Sequence, residues 1–248
     1  MAIAEPVGRP ETRAGSLLTW PNLLVILGAV LMLVDVYLIF MVAPTDSVLG
    51  NVQRVFYFHV PIAVMSFLAF FLVFVASIIY LVKRTPAWDR LAQASAEVGV
   101  VFVTLSLITG VIWARPVWGA WWTWEPRLTT TLILWLIYVS YLMVRAYASN
   151  PAQGARYSAV VGIVGFVDVP IVYYSVIWWR SIHPSPVVGP LAQQGALEGT
   201  MAAVLLFSFI TFFILFVFLV AQRMALREAE DQLGGIKSAM RRRAESLL

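Results

Sequence analysis

The sequence predicts an all-α fold, a polytopic membrane protein built as a six-transmembrane-helix bundle with a Trp-rich outer loop. Of its 248 residues, 61% are apolar and 12% are charged, whereas soluble domains carry about 25% charged residues. Six apolar segments approach the roughly 20 residues that a helix needs to cross the hydrocarbon core. The predicted spans are residues 22–42, 57–81, 97–113, 128–147, 157–179 and 201–222.

The first predicted span follows Pro21, a residue favoured in the first turn of a helix. A cleaved signal peptide is not expected, because the apolar run is long and Val42-Ala43-Pro44 is a poor processing site. The third predicted span is the shortest, and short loops join the spans. The sequence therefore predicts one membrane domain over residues 1–222 and a basic tail over 223–248.

Lysine and arginine are distributed unevenly between the two ends of the predicted bundle. Thirteen of the 17 lie at the end that carries both termini, and four lie at the other end. By the positive-inside rule, the end with thirteen is cytoplasmic and both termini lie inside. The thirteen are Arg9, Arg13, Lys83, Arg84, Arg90, Arg145, Arg156, Arg223, Arg227, Lys237, Arg241, Arg242 and Arg243. The four are Arg54, Arg115, Arg127 and Arg180.

The predicted tail over residues 223–248 mixes acidic and basic side chains and ends in Arg241-Arg242-Arg243. Basic segments beside a membrane bind anionic lipid headgroups, so we expect a solvated helix that rests on the membrane surface. A docking site for a cytoplasmic partner is the alternative interpretation of the same segment.

Tryptophan is concentrated around one predicted outer loop, residues 114–127. Five of the ten tryptophans lie between positions 113 and 124. An indole ring has a large flat apolar face and one N–H donor, which suits a planar apolar ligand. Single tryptophans are typical of any membrane interface, but five at one loop favour a surface that faces a ligand. If the loop is helical, one face carries Trp118, Trp121, Trp122 and Glu125, and Pro126 opens the fourth span.

The chain has two histidines, His59 and His183, and the predicted topology places both at the outer end with the tryptophans. Imidazole nitrogen suits iron, and a six-coordinate haem takes one axial ligand on each side. An interfacial polar residue or a helix cap is the alternative for each histidine. Arginines form bidentate bonds to carboxylates, so the outer Arg54, Arg115 and Arg127 match the haem propionates. Zinc fits less well, because two His and one Glu are scattered over three loops.

Several chemistries are excluded by composition and motif. The chain has no cysteine, which excludes disulfides, iron–sulfur clusters and covalent haem attachment through C-x-x-C-H. No Gly-rich loop resembles a phosphate-binding motif, so we expect no ATP binding by this chain. The arrangement points to ligand exchange rather than bond-making by side chains, so we do not expect an enzyme.

Three acidic residues fall inside or at the edge of predicted spans, where ionisable groups are costly and are functional candidates. Asp168 lies near the middle of the fifth span, beside Pro170. A proton or ligand path is one interpretation, but we favour a buried acid with a hydrogen-bonding partner at a proline kink. Asp35 and Glu97 are interpreted in the same structural way.

Three motifs together resemble the haem-handling "WWD" family and, within it, the CcmC proteins. They are WGAWWTWEPRLT at 118–129, FHVP at 58–61 and WWRSIHP at 178–184. The resemblance covers nearly the whole chain, from the first span to the sixth. It implies a bacterial inner-membrane protein that binds haem b at its periplasmic face and presents it for cytochrome c biogenesis. The implied partners are a CcmE-type haem chaperone, a CcmA/CcmB ABC transporter complex that hydrolyses ATP, and a CcmD-type small subunit.

The resemblance also implies roles for individual residues. His59 and His183 are the implied axial ligands of the haem iron. The implied haem platform consists of Trp118, Trp121, Trp122, Trp124 and Arg127. The family motif usually has Asp where this chain has Glu125, so the carboxylate is kept with one more methylene group.

Three other functions remain open from the sequence. A b-type electron-transfer subunit usually carries its histidines inside the spans, whereas here both lie at the outer end. A permease that transports haem usually has internal repeats, and none is evident by eye. A synthase of the other maturation route shares the Trp-rich motif but generally has more spans and more histidines.

Overall fold

The computed structural model describes residues 20–179, 181–192, 195 and 197–246. Within these residues six helical segments are long and apolar enough to cross a membrane, which confirms the predicted all-α six-span fold. Arg9, Arg13 and Arg180 lie outside the described residues. The helices are α1 (Trp20–Tyr37), α2 (Phe56–Lys83), α3 (Pro86–Trp118), α4 (Pro126–Ala146), α5 (Pro151–Gly165), α6 (Asp168–Trp178) and α7 (Gly199–Glu245). A π-helical turn (Leu38–Val42) extends α1, and a 3-10 turn (Asn51–Val55) precedes α2.

Proline and capping side chains explain where three of the helices begin. Pro86, Pro126 and Pro151 each occupy the first turn of their helix, where the missing N–H costs no hydrogen bond. Asn150 caps α5 by accepting a hydrogen bond from the Gln153 amide at 2.8 Å. Glu125 caps α4 in the same way through the Leu128 amide at 2.7 Å. These caps satisfy amides that the first helical turn leaves without a partner.

Two helices are longer than the predicted spans because polar side chains near one end form ion pairs. α3 has 33 residues, and Asp89 in its first turn pairs with Arg145 of α4. Glu97 of α3 accepts hydrogen bonds from both Arg223 and Arg227 of α7. α7 continues for 47 residues without a break at the predicted boundary between 222 and 223. Its exposed last turns carry the other basic residues of the predicted tail, Lys237, Arg241, Arg242 and Arg243.

The fifth crossing is divided between α5 and α6, and Pro170 explains the division. A proline at this position has no N–H to offer the carbonyl of Phe166, four residues earlier. The Phe166 carbonyl instead accepts from the Val169 amide at 3.1 Å. The expected proline kink is therefore present. The expected hydrogen-bonding partner of Asp168 is absent among the described residues, because the buried Oδ2 of Asp168 accepts no hydrogen bond from any of them.

The core lies around α2, which packs against α3, α5 and α7. Phe70 of α2 stacks on Tyr138 of α4 with ring centroids 3.7 Å apart. α1 packs mainly on α7, where the Ser208 hydroxyl donates to the buried Asp35 carboxylate at 2.7 Å. α1 is otherwise largely exposed on the bundle, as expected for a helix that lipid solvates.

Connections on alternate sides bring three segments to one end of the bundle. These are residues 43–55, residues 119–125, and the described part of 179–198. We call this the histidine end, because His59 and His183 lie there. The ion pairs of Asp89 and Glu97 lie near the other end of α3.

Candidate functional site

A cavity of about 510 Å³ opens at the histidine end, and both histidines line it. Ligand pockets in proteins range over about 300–1,000 Å³ and are mostly apolar with a few placed polar groups. Here the wall is built from α2, α3, α4, α6 and residues 183–189, with one residue of α7. The predicted pairing of the two histidines at one end is therefore present in the structure.

His59 lies in the first turn of α2, and residues of α3 hold its ring. Its Nδ1 is 2.9 Å from the hydroxyl oxygen of Thr109. Trp113, one turn further along α3, stacks on the imidazole with ring centroids 6.5 Å apart. Gly110 leaves room for the ring, because a Cβ atom at this position would lie 3.2 Å from the His59 Cε1. Two regular helices thus fix the position of this side chain.

His183 lies outside the helices, in a segment that we call the His183 segment, residues 181–192. Its backbone amide donates to the Ser181 hydroxyl at 3.0 Å. Its Nδ1 is 3.0 Å from the Pro184 carbonyl oxygen and 3.3 Å from Nη1 of Arg127. Burial, and then the positive charge of Arg127, lower the pKa of His183 from 6.5 to about 3. The imidazole is therefore neutral at pH 7 and has one ring nitrogen with a free lone pair.

Aromatic rings connect the two histidines along one wall. Trp113, which stacks on His59, lies 6.4 Å from Trp118 between ring centroids. Trp118 in turn meets His183 edge-to-face at 6.1 Å. Trp122 also lines the cavity. The wall is thus a broad apolar surface with an imidazole at each end.

The residues of this wall carry three polar N–H-bearing groups. The indole N–H groups of Trp113 and Trp122 are buried and have no partner among the described residues. Unpaired buried donors cost stability and are uncommon in proteins. The guanidinium of Arg127 also lines the cavity, and its Nη1 contacts the Nδ1 of His183. A planar apolar ligand with an anionic group at its edge would pair with this guanidinium.

Five of the predicted site residues do not line this cavity. Trp121 and Trp124 are 59% and 75% exposed and stand on the outside of the loop. Arg54 donates to the Ile39 carbonyl of the π-helical turn, and Arg115 donates to the Gly119 carbonyl at the end of α3. The fifth residue, Glu125, is buried but is used within the protein. The remaining five, His59, His183, Trp118, Trp122 and Arg127, surround the cavity.

Glu125 connects α4 to the His183 segment. One carboxylate oxygen caps α4 at the Leu128 amide, and the other accepts from the Ser181 hydroxyl. The same Ser181 oxygen accepts from the His183 amide. The loop before it, residues 119–125, is not helical, because Gly119 adopts a left-handed conformation (φ 73°) that ends α3. The shared helical face considered for Trp118, Trp121, Trp122 and Glu125 is therefore absent.

Sequence reasoning did not select Thr109 or Tyr173, and it counted Trp113 in the tryptophan cluster without assigning it to the site. Thr109 and Trp113 lie four residues apart on α3 and both contact His59. Tyr173 of α6 donates to the Val188 carbonyl at 2.9 Å and accepts from the Leu191 amide at 3.2 Å. A threonine and a tryptophan at helical spacing were the available signal on α3. Nothing in the sequence around Tyr173 distinguishes it from neighbouring aromatic residues.

Comparison with known proteins identifies relatives along the whole bundle. The family described as "CcmC: Heme exporter protein C" matches residues 4–234. Heme exporter protein C of Haemophilus influenzae is 31% identical over 235 residues, 94% of this chain and 95% of that protein. The Escherichia coli K12 protein of the same name is 33% identical over 182 residues, 73% of each chain. That of Bradyrhizobium diazoefficiens is 36% identical over 175 residues, 71% of this chain and 66% of that protein.

Proposed function

Because this chain belongs to the CcmC family, heme exporter protein C, we propose that it binds haem and presents it for cytochrome c biogenesis. The haem lies in the cavity between His59 and His183, over the tryptophan wall. The observation that carries this proposal is that one cavity holds both histidines of the chain, with an aromatic wall between them. Haem is the cargo of the protein, and its iron takes one imidazole on each side.

The side chains of the cavity fit a non-covalently bound haem b. Neutral imidazoles supply iron ligands, and Trp113, Trp118 and Trp122 offer the apolar surface that a macrocycle needs. Arg127 is the cavity arginine, so we assign it to a haem propionate. Arg54 and Arg115 already donate to backbone carbonyls and are not assigned to the propionates.

The exposed tryptophans suit a role outside the cavity. Trp121 and Trp124 project beside Trp122, and Trp124 meets the Trp122 ring edge-to-face at 5.5 Å. Large exposed aromatic side chains are typical of surfaces that contact a partner. We assign them to the contact with a periplasmic CcmE-type haem chaperone that receives the cargo.

The proposed setting is the bacterial inner membrane. The histidine end faces the periplasm and both termini face the cytoplasm, following the bias of lysine and arginine. The chain acts by exchanging iron ligands and is not an enzyme. Its further proposed partners are a CcmA/CcmB ABC transporter complex, which hydrolyses ATP, and a CcmD-type small subunit.

The first experiment replaces each histidine and measures the haem absorbance of the purified protein. We expect His59→Ala and His183→Ala to lose six-coordinate haem, because each removes one iron ligand. Arg115→Ala is the matched control, since Arg115 lies at the same end but donates to a backbone carbonyl outside the cavity. Unchanged haem content and ligation in both histidine variants would disprove the assignment.

A second experiment tests presentation to the chaperone. The purified protein is mixed with a CcmE-type chaperone with and without haem, and complex formation is measured by size-exclusion chromatography. Haem-dependent association supports presentation, whereas equal association without haem contradicts it. Trp121→Ala and Trp124→Ala, which leave the cavity wall intact, are expected to weaken the haem-dependent complex.

A further inference from the structure

The hydrogen bonds of Thr109 determine which nitrogen of His59 carries the proton. The Thr109 hydroxyl has one proton, and carbonyl oxygens of its own helix accept it, at 2.8 Å for Leu105 and 3.2 Å for Ser106. The hydroxyl oxygen therefore faces the His59 Nδ1, at 2.9 Å, as an acceptor. With the hydroxyl proton on its own helix, His59 donates from Nδ1, which leaves a lone pair on Nε2.

This arrangement is the one by which proteins prepare a histidine to bind a metal. A ligating imidazole usually donates its other N–H to a fixed acceptor, which selects the tautomer and the orientation of the ring. Trp113 and Gly110 restrict the ring further. His59 is thus ready to bind iron before any cargo arrives.

His183 has the opposite situation, because its Nδ1 faces two groups with incompatible demands. The Pro184 carbonyl, at 3.0 Å, accepts hydrogen bonds only. The Arg127 guanidinium, at 3.3 Å, donates only. Nδ1 satisfies the carbonyl when it carries the proton and satisfies the arginine when it does not. A hydrogen bond from a charged donor is the stronger of the two, so the arginine is expected to prevail.

We propose that Arg127 keeps His183 in the form that does not bind iron until an anionic group of the cargo draws the guanidinium away. While Nδ1 accepts from Arg127, the proton sits on Nε2 and blocks that nitrogen as a ligand. Once a carboxylate pairs with Arg127, Nδ1 takes up a proton to donate to Pro184 and Nε2 releases one. The two proton exchanges with water leave the imidazole neutral.

The proposal rests on the proposed function and goes beyond it by giving the two ligands different roles. His59 is ready to bind iron at all times, because Thr109 selects its tautomer. His183 binds iron only when Arg127 has moved away from it. Thr109 and Arg127 are positioning residues for the two imidazoles. The same dependence gives an order to release, since loss of the carboxylate contact returns Arg127 to His183 and weakens one axial bond first.

The tautomers can be observed directly in the cargo-free protein. With two histidines in the chain, nitrogen NMR of histidine-labelled protein gives two sets of ring signals. We expect His59 with its proton on Nδ1 and His183 with its proton on Nε2. Arg127→Met is expected to move the His183 proton to Nδ1, and Thr109→Val to remove the preference at His59, whereas Thr109→Ser keeps it.

The role of the cargo carboxylates is tested with haem and its dimethyl ester, which lacks them. In the unmodified protein we expect six-coordinate absorbance with haem and loss of that signature with the ester. In Arg127→Met, which also loses the propionate contact and so requires more haem for saturation, the ester is expected to give the same six-coordinate spectrum as haem at saturating concentration. A proton on Nδ1 of His183 in the cargo-free protein, or identical spectra for both compounds in the unmodified protein, would overturn the proposal. The proposed function fails separately, if both histidine-to-alanine variants retain six-coordinate haem.

Discussion

The two sides of the cavity are built in different ways, although each presents one histidine. On the first side, His59 lies in α2 and its contacts come from Thr109, Gly110 and Trp113 of α3. On the second side, His183 lies in a non-helical segment held by a few side-chain hydrogen bonds and by apolar contacts of Val187 and Val188. The hydrogen-bonding side chains are Glu125 through Ser181, and Tyr173 through two backbone groups.

The difference separates a rigid side from an adaptable side. Helix-to-helix packing over many contacts opens only with a large part of the fold, whereas a non-helical segment with fewer contacts opens locally at a lower free energy. A protein that only stored haem would gain from two rigid sides. A protein that passes haem on needs one ligand that stays in place and one that can leave.

The sharpest test of this comparison replaces each histidine by glycine. We expect His59→Gly to lower haem affinity more than His183→Gly. The His59 loss should exceed the roughly 10- to 100-fold that follows when a ligand loses its supporting hydrogen bond. Haem titration by absorbance measures both variants. Equal losses would remove the distinction between the two sides.

A smaller effect is expected when the rigid side is disturbed without removing its ligand. In Gly110→Ala the new Cβ would lie 3.2 Å from the His59 Cε1, so the ring must shift. We expect haem affinity to fall by about 10-fold, the lower end of the range for indirect effects on a ligand. Gly28→Ala in α1 is the matched control, because its Cβ would meet nothing within 4 Å. An unchanged affinity in Gly110→Ala would show that the His59 ring has freedom the geometry does not indicate.

The adaptable side is loosened by Tyr173→Phe, which removes both hydrogen bonds between α6 and the His183 segment. Each such bond contributes about 1 kcal/mol, so we expect haem to dissociate several-fold faster while the fold is retained. Stopped-flow transfer of haem to a scavenger measures the rate. Tyr174→Phe serves as the control, since its ring stacks on Trp178 and its hydroxyl makes no hydrogen bond with a described residue. Similar rates in both variants would contradict the role of Tyr173.

The smallest effect is expected at Glu125, which serves both α4 and the His183 segment. Glu125→Ala removes the cap and is expected to cost about 1 kcal/mol of stability, measured by thermal unfolding. Glu125→Asp keeps a capping carboxylate but shortens the side chain, so we expect little loss of stability and a faster release of haem through the freed Ser181. A faster release in Glu125→Ala without any loss of stability would argue against the capping role.

The bundle was predictable because apolar length alone defines a membrane crossing, and counting crossings placed both histidines at one end. The ends of α3 and α7 were not predictable, because ion pairs between helices stabilise their polar turns. Asp89 of α3 pairs with Arg145 of α4, and Glu97 of α3 pairs with Arg223 of α7. From the sequence alone, a charged residue such as Asp89 indicates the end of a span, because its ion-pair partner lies far away along the chain and is not recognised.

The site was predictable to the level of residue types and less so to the level of contacts. His59, His183, Trp118, Trp122 and Arg127 line one cavity, as their motifs indicate. Two other arginines bind backbone carbonyls that a sequence does not locate. The carboxylate of the Trp-rich motif, Glu125, caps a helix. Its position directly before a proline is typical of a helix start. Hydrogen-bond partners depend on the tertiary fold, so these assignments required the structure.

The length of α7 has a mechanical consequence. At 1.5 Å per residue its 47 residues span roughly 70 Å, more than twice the hydrocarbon thickness of ~30 Å. Neither proline nor glycine interrupts it between Thr200 and Leu233, so this stretch has no joint. At the histidine end, the cluster that includes Met201 and Leu205 packs against Val187 and Val188 of the His183 segment. A tilt imposed there is therefore carried along a stiff helix to the opposite end of the bundle.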